Sequence, residues 1–111
     1  MELNEIPDVL IDAMGGYKFI LVKVFNSSGS KLVVRANKDK SFHKYILAEL
    51  RDQIGTNQAS CLGGGQICHY PTAKKIRIFG SSGDYGCEDR AETVRLLKIA
   101  YPDYEVVAES E

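Results

Sequence analysis

Two apolar runs near the start of the chain have the composition of β-strands. Residues 17–25 are rich in branched and aromatic side chains, and residues 31–36 form a second run of the same kind. The polar loop between them, residues 26–30, predicts that the two runs pair as a β-hairpin. Lys18 and Arg35 are then expected near the same end of this hairpin, the end far from the loop.

A helical period replaces the strand pattern from about residue 40 to residue 54. Apolar side chains recur there at every fourth position: Phe42, Ile46, Leu50 and Ile54. We expect Asp39 or Ser41 to cap the start of this helix and Gly55 to end it.

A second helix is predicted over residues 89–101. Asp89 and Glu92 have the spacing of a capping box, and Pro102 stops the helix. One face of this helix is expected to be apolar, and it carries Ala91, Val94 and Leu97.

The remaining segments complete an alternation of strands and helices. Residues 6–9 are predicted as an extended or turn entry, because Pro7 restricts the residue before it. Three further strands are predicted, over residues 66–70, 74–79 and 104–108. The order β-β-α-β-β-α-β predicts an α/β (α+β) fold in a single domain, residues 1–111, with a central mixed β-sheet flanked by two α-helices.

The composition is that of an ordinary globular protein, with 44% hydrophobic residues, 26% charged residues and a net charge of −1. Near-neutral charge disfavours nucleic acid or an anionic membrane as the main partner, and the interleaved aromatic motifs of an RNA-binding sheet are missing. The charge is uneven, however, because residues 18–44 are rich in Lys and Arg and hold one acid, Asp39. Such a local cationic patch suits a small anion better than a polymer.

The three cysteines and the N-terminus indicate a reduced compartment. An odd number of cysteines cannot pair fully within one chain, and the first residues are acidic where a signal peptide would be basic. No apolar run reaches the length of a membrane span. We therefore expect a cytoplasmic protein with free thiols.

A zinc site is disfavoured by the spacing of the candidate ligands, which are Cys61, Cys68, His69 and Cys87. The spacing matches no common zinc pattern, and the adjacent Cys68 and His69 would face opposite sides of a strand. We expect neither a metal nor a cofactor.

Two glycine-bearing segments are candidates for close contact with an anion. Gly63–Gly65 lack the Gly-Lys-Ser/Thr ending of a P-loop, so we predict a glycine turn that leads into the strand at residues 66–70. Residues 80–86 offer consecutive backbone N–H groups and serine hydroxyls, which suit an anion. A plain strand-to-helix connection would use the same residues.

His43 is a candidate catalytic residue because of its place in the first turn of the first helix. Free amides at a helix start attract an anion, and the helix dipole favours a neutral imidazole. A neutral imidazole beside an anion can act as a nucleophile or a general base. The residues alone also allow an exposed or capping histidine on an amphipathic helix, which is the more frequent case.

Five segments of the chain together resemble the janus/ocnus family of small phosphohistidine phosphatases, which includes insect proteins linked to the male germ line and sex differentiation. They are residues 6–9, 17–24, 61–65, 74–76 and 101–106, and they include Leu-Gly-Gly-Gly and Tyr-Pro-Asp-Tyr-Glu-Val. The resemblance extends from Ile6 to Val106 and implies a central mixed sheet flanked by two helices. It also implies metal-independent hydrolysis of the P–N bond of a phosphohistidine-containing protein by a monomer.

The resemblance assigns roles to particular residues. His43 lies eight residues after Arg35, as the family's catalytic histidine lies after an arginine, which makes His43 the catalytic candidate. Lys18 matches the lysine of the family's phosphate pocket. Arg35 is a further candidate to hold the phosphoryl oxygens.

The same resemblance identifies a phosphate-binding loop, in which Ser82 and the amides of Gly83 and Asp84 hold phosphate oxygens. Asp84 itself departs from the family, because it places a negative charge where a small neutral residue is usual.

A second departure follows the three glycines, where the family's enzymes carry an arginine and this chain has Gln66. Glutamine donates hydrogen bonds without charge, so affinity and transition-state stabilisation should fall, and Lys44 is a candidate to compensate. The expected function is a phosphohistidine phosphatase of reduced activity. The alternative is a non-catalytic phospho-ligand or protein-binding developmental regulator of the same group.

Overall fold

A mixed β-sheet forms the centre of the computed structural model, which describes residues 1–109. After a 3₁₀ turn at Leu3–Glu5, the elements follow one another as β1 (Val9–Ile11), β2 (Gly15–Asn26), β3 (Gly29–Ala36), α1 (His43–Gln53), β4 (Gln58–Tyr70), β5 (Lys75–Phe79), α2 (Arg90–Ala100) and β6 (Glu105–Ala108). The strands lie in the order β1-β3-β2-β4-β5-β6. The inner pairs are antiparallel, and the two outer pairs are parallel. The predicted single-domain mixed sheet with two helices is confirmed.

The two helices cover opposite faces of the sheet. Side chains of a strand alternate between its faces, and β2 accordingly contributes to two separate cores. Ile20 and its alternate neighbours pack against the buried face of α1, whereas Phe19 and its alternate neighbours pack against α2. We call these the α1 face and the α2 face of the sheet. Neither helix, within residues 1–109, is long and apolar enough to cross a membrane.

The predicted hairpin corresponds to β2 and β3. Ile20 pairs with Arg35 and Phe19 with Ala36, far from the turn at residues 26–29, so the prediction that Lys18 and Arg35 lie near one end is confirmed. The strands differ from the prediction at the edge of the sheet. There β1 extends the entry segment into a short parallel partner of β3.

Helix α1 begins at His43, about three residues later than the predicted start near residue 40. Its N-cap is Phe42, which makes no side-chain capping bond, so the expectation that Asp39 or Ser41 caps the helix is wrong. Phe42 is exposed and His43 is buried in its place. The reason is spacing: His43 stands at positions i−3, i−4 and i−7 from the buried residues Ile46, Leu47 and Leu50 and so lies on their face. The helix ends as predicted, with Gly55 at φ +67° after the C-cap Ile54.

Helix α2 has the predicted cap without the predicted box. The carboxylate of Asp89 accepts a hydrogen bond from the backbone N–H of Ala91 at 3.1 Å. Glu92 pairs with Arg95 on the surface rather than with the N-cap. The buried face is formed by Thr93, Leu96 and Leu97; Val94 is partly buried and Ala91 is exposed, so the predicted apolar face is displaced by part of a turn.

The largest difference from the sequence analysis concerns the three glycines. Gly63–Gly65 lie inside β4, where the sequence predicts a turn. Backbone and side chains from other elements approach these glycines so closely that a Cβ would overlap them. The register between β2 and β4 also shifts there, because Leu21 pairs with Gly63 and Val22 with Cys61, which leaves Leu62 of β4 as an extra residue. The glycines therefore permit close approach across a strand rather than a change of direction.

Candidate active site

His43 is a buried side chain whose ring orientation is fixed by the backbone of β4. Its Nε2 lies 3.0 Å from the carbonyl oxygen of Gly65. A carbonyl oxygen can only accept a hydrogen bond, so Nε2 carries the proton in this contact. In the neutral ring Nδ1 then carries the lone pair, and it has no hydrogen-bond partner within residues 1–109. The site therefore holds one imidazole nitrogen ready to accept a proton or to attack an electrophile.

Lys18 and Gln66 lie side by side on the same face of the sheet as His43. The register of β2 and β4 places them directly opposite each other. Lys18 alternates with Ile20, which packs on α1, so both side chains belong to the α1 face. Lys18 is half-buried and forms no ion pair among the described residues. It is thus a cation without a protein counter-ion beside the strand that anchors His43.

The loop at residues 82–86 is a tight turn with free amides at its tip. The N–H of Ser82 donates to the carbonyl of Gly86 at 3.1 Å, and the N–H of Gly86 donates back at 2.8 Å. The hydroxyl oxygen of Ser82, which is buried, accepts the N–H of Tyr85 at 3.1 Å. Within the described chain the N–H groups of Gly83 and Asp84 donate to no acceptor. They are the two donors that the turn leaves available for an anion.

The glycine run of β4, Gly63–Gly65, binds both the loop and the histidine. The N–H of Gly64 donates to the carbonyl of Gly86 at 3.0 Å. This bond connects the loop to the part of β4 that does not pair with β5. Gly65, the next residue, accepts the bond from His43. The two parts of the predicted site are therefore connected through adjacent peptide units of one strand.

We expect Gly65→Ala to lower the free energy of unfolding by about 3 kcal/mol, because overpacking against backbone has no flexible neighbour to relieve it. A Cβ at this position would overlap the carbonyl of Phe79 and lie 3.0 Å from the carbonyl oxygen of Gly80. Gly83→Ala is the matched control, since a Cβ there meets nothing within 4 Å. Urea unfolding of the two variants measures the difference. Equal stability would show that the close approach is not required.

Arg35 is directed toward the N-terminal segment. Its guanidinium donates to the carbonyls of Val34, at 3.0 Å, and Pro7, at 2.8 Å, while its buried Nε has no partner in the described part of the chain. Burial lowers the pKa of Arg35 to about 10, although the carboxylate of Asp8 opposes this shift. Arg35 therefore remains charged at neutral pH and braces β3 against the entry segment.

Lys44, next to His43 in the chain, and Asp84, in the loop, are exposed at the surface. The ammonium of Lys44 lies 5.7 Å from the ring centroid of Phe42 and 5.5 Å from that of Tyr45. Asp84 is exposed at the tip of the loop and forms no ion pair with any residue from 1 to 109. Within residues 1–109, neither side chain forms a hydrogen bond or an ion pair with His43.

A buried ion pair behind the loop escaped the sequence analysis. The side chain of Glu88 is fully buried, accepts the hydroxyl of Thr93 at 2.6 Å and lies 3.3 Å from the guanidinium of Arg90. Arg90 also donates to the carbonyl of Gly80. No short motif marks these residues, because they surround an ordinary helix cap at Asp89.

The second histidine has partners of its own. His69 is buried, donates from Nδ1 to the carbonyl of Asp12 at 2.9 Å, and its Nε2 lies 3.4 Å from the hydroxyl of Tyr104. The cysteines Cys61, Cys68 and Cys87 are free thiols. No group of three or more metal-ligating side chains occurs among residues 1–109.

Comparison with known proteins gives consistent matches over nearly the whole chain. A family model described as Janus/Ocnus family matches residues 3–105. The sex-regulated protein janus-A of Drosophila pseudoobscura pseudoobscura is 38% identical, over 99% of this chain and 79% of its own length. The 14 kDa phosphohistidine phosphatase of Homo sapiens is 36% identical, over 95% of this chain and 91% of its own length. The 14 kDa phosphohistidine phosphatase of Sus scrofa is 34% identical, over 95% of this chain and 90% of its own length.

Proposed function

The chain belongs to the Janus/Ocnus family, and on this premise we propose that it hydrolyses the P–N bond of phosphohistidine in a protein substrate, with His43 as the catalytic residue. The observation that carries the proposal is the hydrogen bond from Nε2 of His43 to the carbonyl of Gly65. It fixes the tautomer in which Nδ1 is unprotonated, as both candidate roles of the histidine require.

In either role the overall reaction is the same. The P–N bond to the substrate imidazole breaks, a P–O bond to the oxygen of water forms, and a proton passes to the leaving nitrogen. As a nucleophile, Nδ1 of His43 would carry the phosphoryl group between two displacement steps. As a general base, it would take a proton from the attacking water. A P–N bond is labile, so positioning supplies most of what this hydrolysis needs.

The phosphoryl oxygens would be held by groups on both sides of His43. Lys18 supplies positive charge from β2, and the loop supplies the free amides of Gly83 and Asp84 together with the hydroxyl of Ser82. Gln66, opposite Lys18, would donate a neutral hydrogen bond.

Arg35 and Lys44 would contribute only to the positive field around the site. The guanidinium of Arg35 is bound to backbone carbonyls, and the ammonium of Lys44 rests on two aromatic rings. Because position 66 holds a neutral glutamine instead of a positively charged arginine, we expect weakened turnover.

The proposal predicts that the wild-type chain releases phosphate from a phosphohistidine peptide in the presence of a metal chelator. The expected rate exceeds spontaneous hydrolysis by at least about a hundredfold, the scale of acid–base and positional catalysis. Phosphate release by the pure protein measures it, with heat-denatured protein as the control. A rate equal to the spontaneous one would refute the catalytic proposal.

A second candidate function is a non-catalytic phospho-ligand or protein-binding module with a developmental role in sex differentiation or the male germ line. Gln66 and Asp84 support it. Gln66 stands where an arginine would attract phosphate, and Asp84 adds a negative charge that repels phosphate. Similarity to janus-A at much the same identity as to the phosphatases agrees with it. Phosphate binding without turnover, unchanged in His43→Ala, would support this function.

The setting in which we place either function is the cytoplasm, with the protein as a monomer. The three free thiols agree with a reducing compartment. The near-neutral charge agrees with a protein partner rather than nucleic acid or membrane.

A further inference from the structure

We propose that Arg90, on the α2 face, is a positioning residue that sets the geometry of the phosphate-binding loop from behind the sheet. This inference rests on the proposed function, because it concerns the same anion site. It adds a residue that makes no contact with the substrate and that acts through the backbone of the glycine run and of the loop.

The guanidinium of Arg90 touches three parts of the site, namely the loop segment, β2 and β4. It donates to the carbonyl of Gly80, two residues before the loop at residues 82–86. It lies 5.3 Å from the ring centroid of Phe19, the neighbour of Lys18 on β2. Its Nη2 lies 2.9 Å from where a Cβ of Gly65 would stand. Gly65 is thus enclosed between His43 on one face and Arg90 on the other.

The orientation of this guanidinium is fixed by a buried partner. Glu88 has a fully buried carboxylate, 3.3 Å from Nη1 of Arg90, and the hydroxyl of Thr93 donates to it at 2.6 Å. Breaking such a pair is costly when it leaves one charge buried alone. The segment from Gly80 to Glu88, which contains the loop, is therefore held at both ends by Arg90. The guanidinium bonds the carbonyl of Gly80 at its start and the carboxylate of Glu88 at its end.

A loop held at both ends presents its tip amides in one place. The donors assigned to phosphate, the N–H groups of Gly83 and Asp84, lie between the two attachment points. His43, by contrast, is held by the packing of α1 on the opposite face, and its partner Gly65 stays paired with Phe19 of β2 when Arg90 is removed. Removing Arg90 should therefore weaken the hold on phosphate oxygens and leave the imidazole in place.

The test is Arg90→Met combined with Glu88→Gln, which removes the positioning contact without leaving a buried carboxylate unpaired. Inorganic phosphate is titrated into ¹⁵N-labelled protein, and the amide signals of Gly83 and Asp84 are followed. We expect the phosphate Kd to rise about tenfold. In the phosphohistidine assay we expect KM to rise by a similar factor of about ten, with kcat within about threefold of wild type.

Two further variants separate positioning from stability. Arg90→Lys keeps the charge but cannot reach Gly80 and Glu88 together, so its phosphate Kd should lie between those of the wild type and the double variant. Arg95→Met removes an exposed ion-pairing arginine from the same helix and should leave the phosphate Kd unchanged.

The outcomes distinguish this inference from the function on which it rests. An unchanged phosphate Kd in the double variant, whatever its melting temperature, would overturn the positioning role. A second outcome combines two results: phosphate binding weakens in the double variant, and the wild-type protein shows no turnover. This outcome would support the positioning role and refute the catalytic proposal.

Discussion

His43→Ala is expected to lower the rate of phosphohistidine hydrolysis by at least about a hundredfold, to a level close to the spontaneous reaction. The side chain supplies the unprotonated Nδ1 on which both proposed mechanisms depend. The second histidine of the chain, His69, has its nitrogens directed at Asp12 and Tyr104. Phosphate release under single-turnover conditions measures the chemical step directly. An Ala variant as fast as the wild type would show that the reaction does not use this residue.

A matched variant separates chemistry from structure at this buried position. His43→Gln keeps an N–H that can donate to the carbonyl of Gly65, but it offers no basic nitrogen in place of Nδ1. It should therefore unfold at nearly the same urea concentration as the wild type and still be inactive. A variant that is active with glutamine and inactive with alanine would assign His43 a structural role only.

The position of His43 could be predicted in part, because helix periodicity is a local signal. The apolar repeat of Ile46 and Leu50 located the helix, and its first turn was expected to contain the histidine. The repeat did not show that His43, rather than Phe42, faces the sheet. That choice depends on the helix beginning at residue 43, and no capping side chain marks this start.

The glycine run shows why the rest of the site was less predictable. Glycine has low strand propensity, so three in succession predicted a turn. Their place inside β4 depends on groups distant in sequence, namely the backbone of Glu88 and the carbonyl of Phe79, that approach too closely for any side chain. Such contacts leave no periodic trace in the chain. The Glu88–Arg90 pair escaped prediction for the same reason, since it becomes visible only when the loop and the strand are brought together.

The roles of the phosphate-binding residues remain predictions, and position 66 offers the sharpest test of them. Gln66 projects from the α1 face opposite Lys18, and its Cγ lies 3.6 Å from where a Cβ of Gly80 would stand. A side chain placed between β2 and the loop is well placed to contact a phosphoryl group held by both. It is also the position at which, by the family resemblance, an arginine is expected and this chain has a neutral side chain.

Gln66→Arg is expected to raise kcat/KM for phosphohistidine hydrolysis about tenfold, because a guanidinium adds charge-assisted hydrogen bonds worth about 1.4 kcal/mol more in the transition state. Gln58→Arg, the same change at an exposed position of β4, is the control and should leave the rate unchanged. Gln66→Lys adds the charge without the two-pronged geometry and should give a smaller gain. Tighter phosphate binding without faster turnover in Gln66→Arg would contradict a weakened enzyme and favour a binding module, because the added charge would then stabilise bound phosphate but not its transfer.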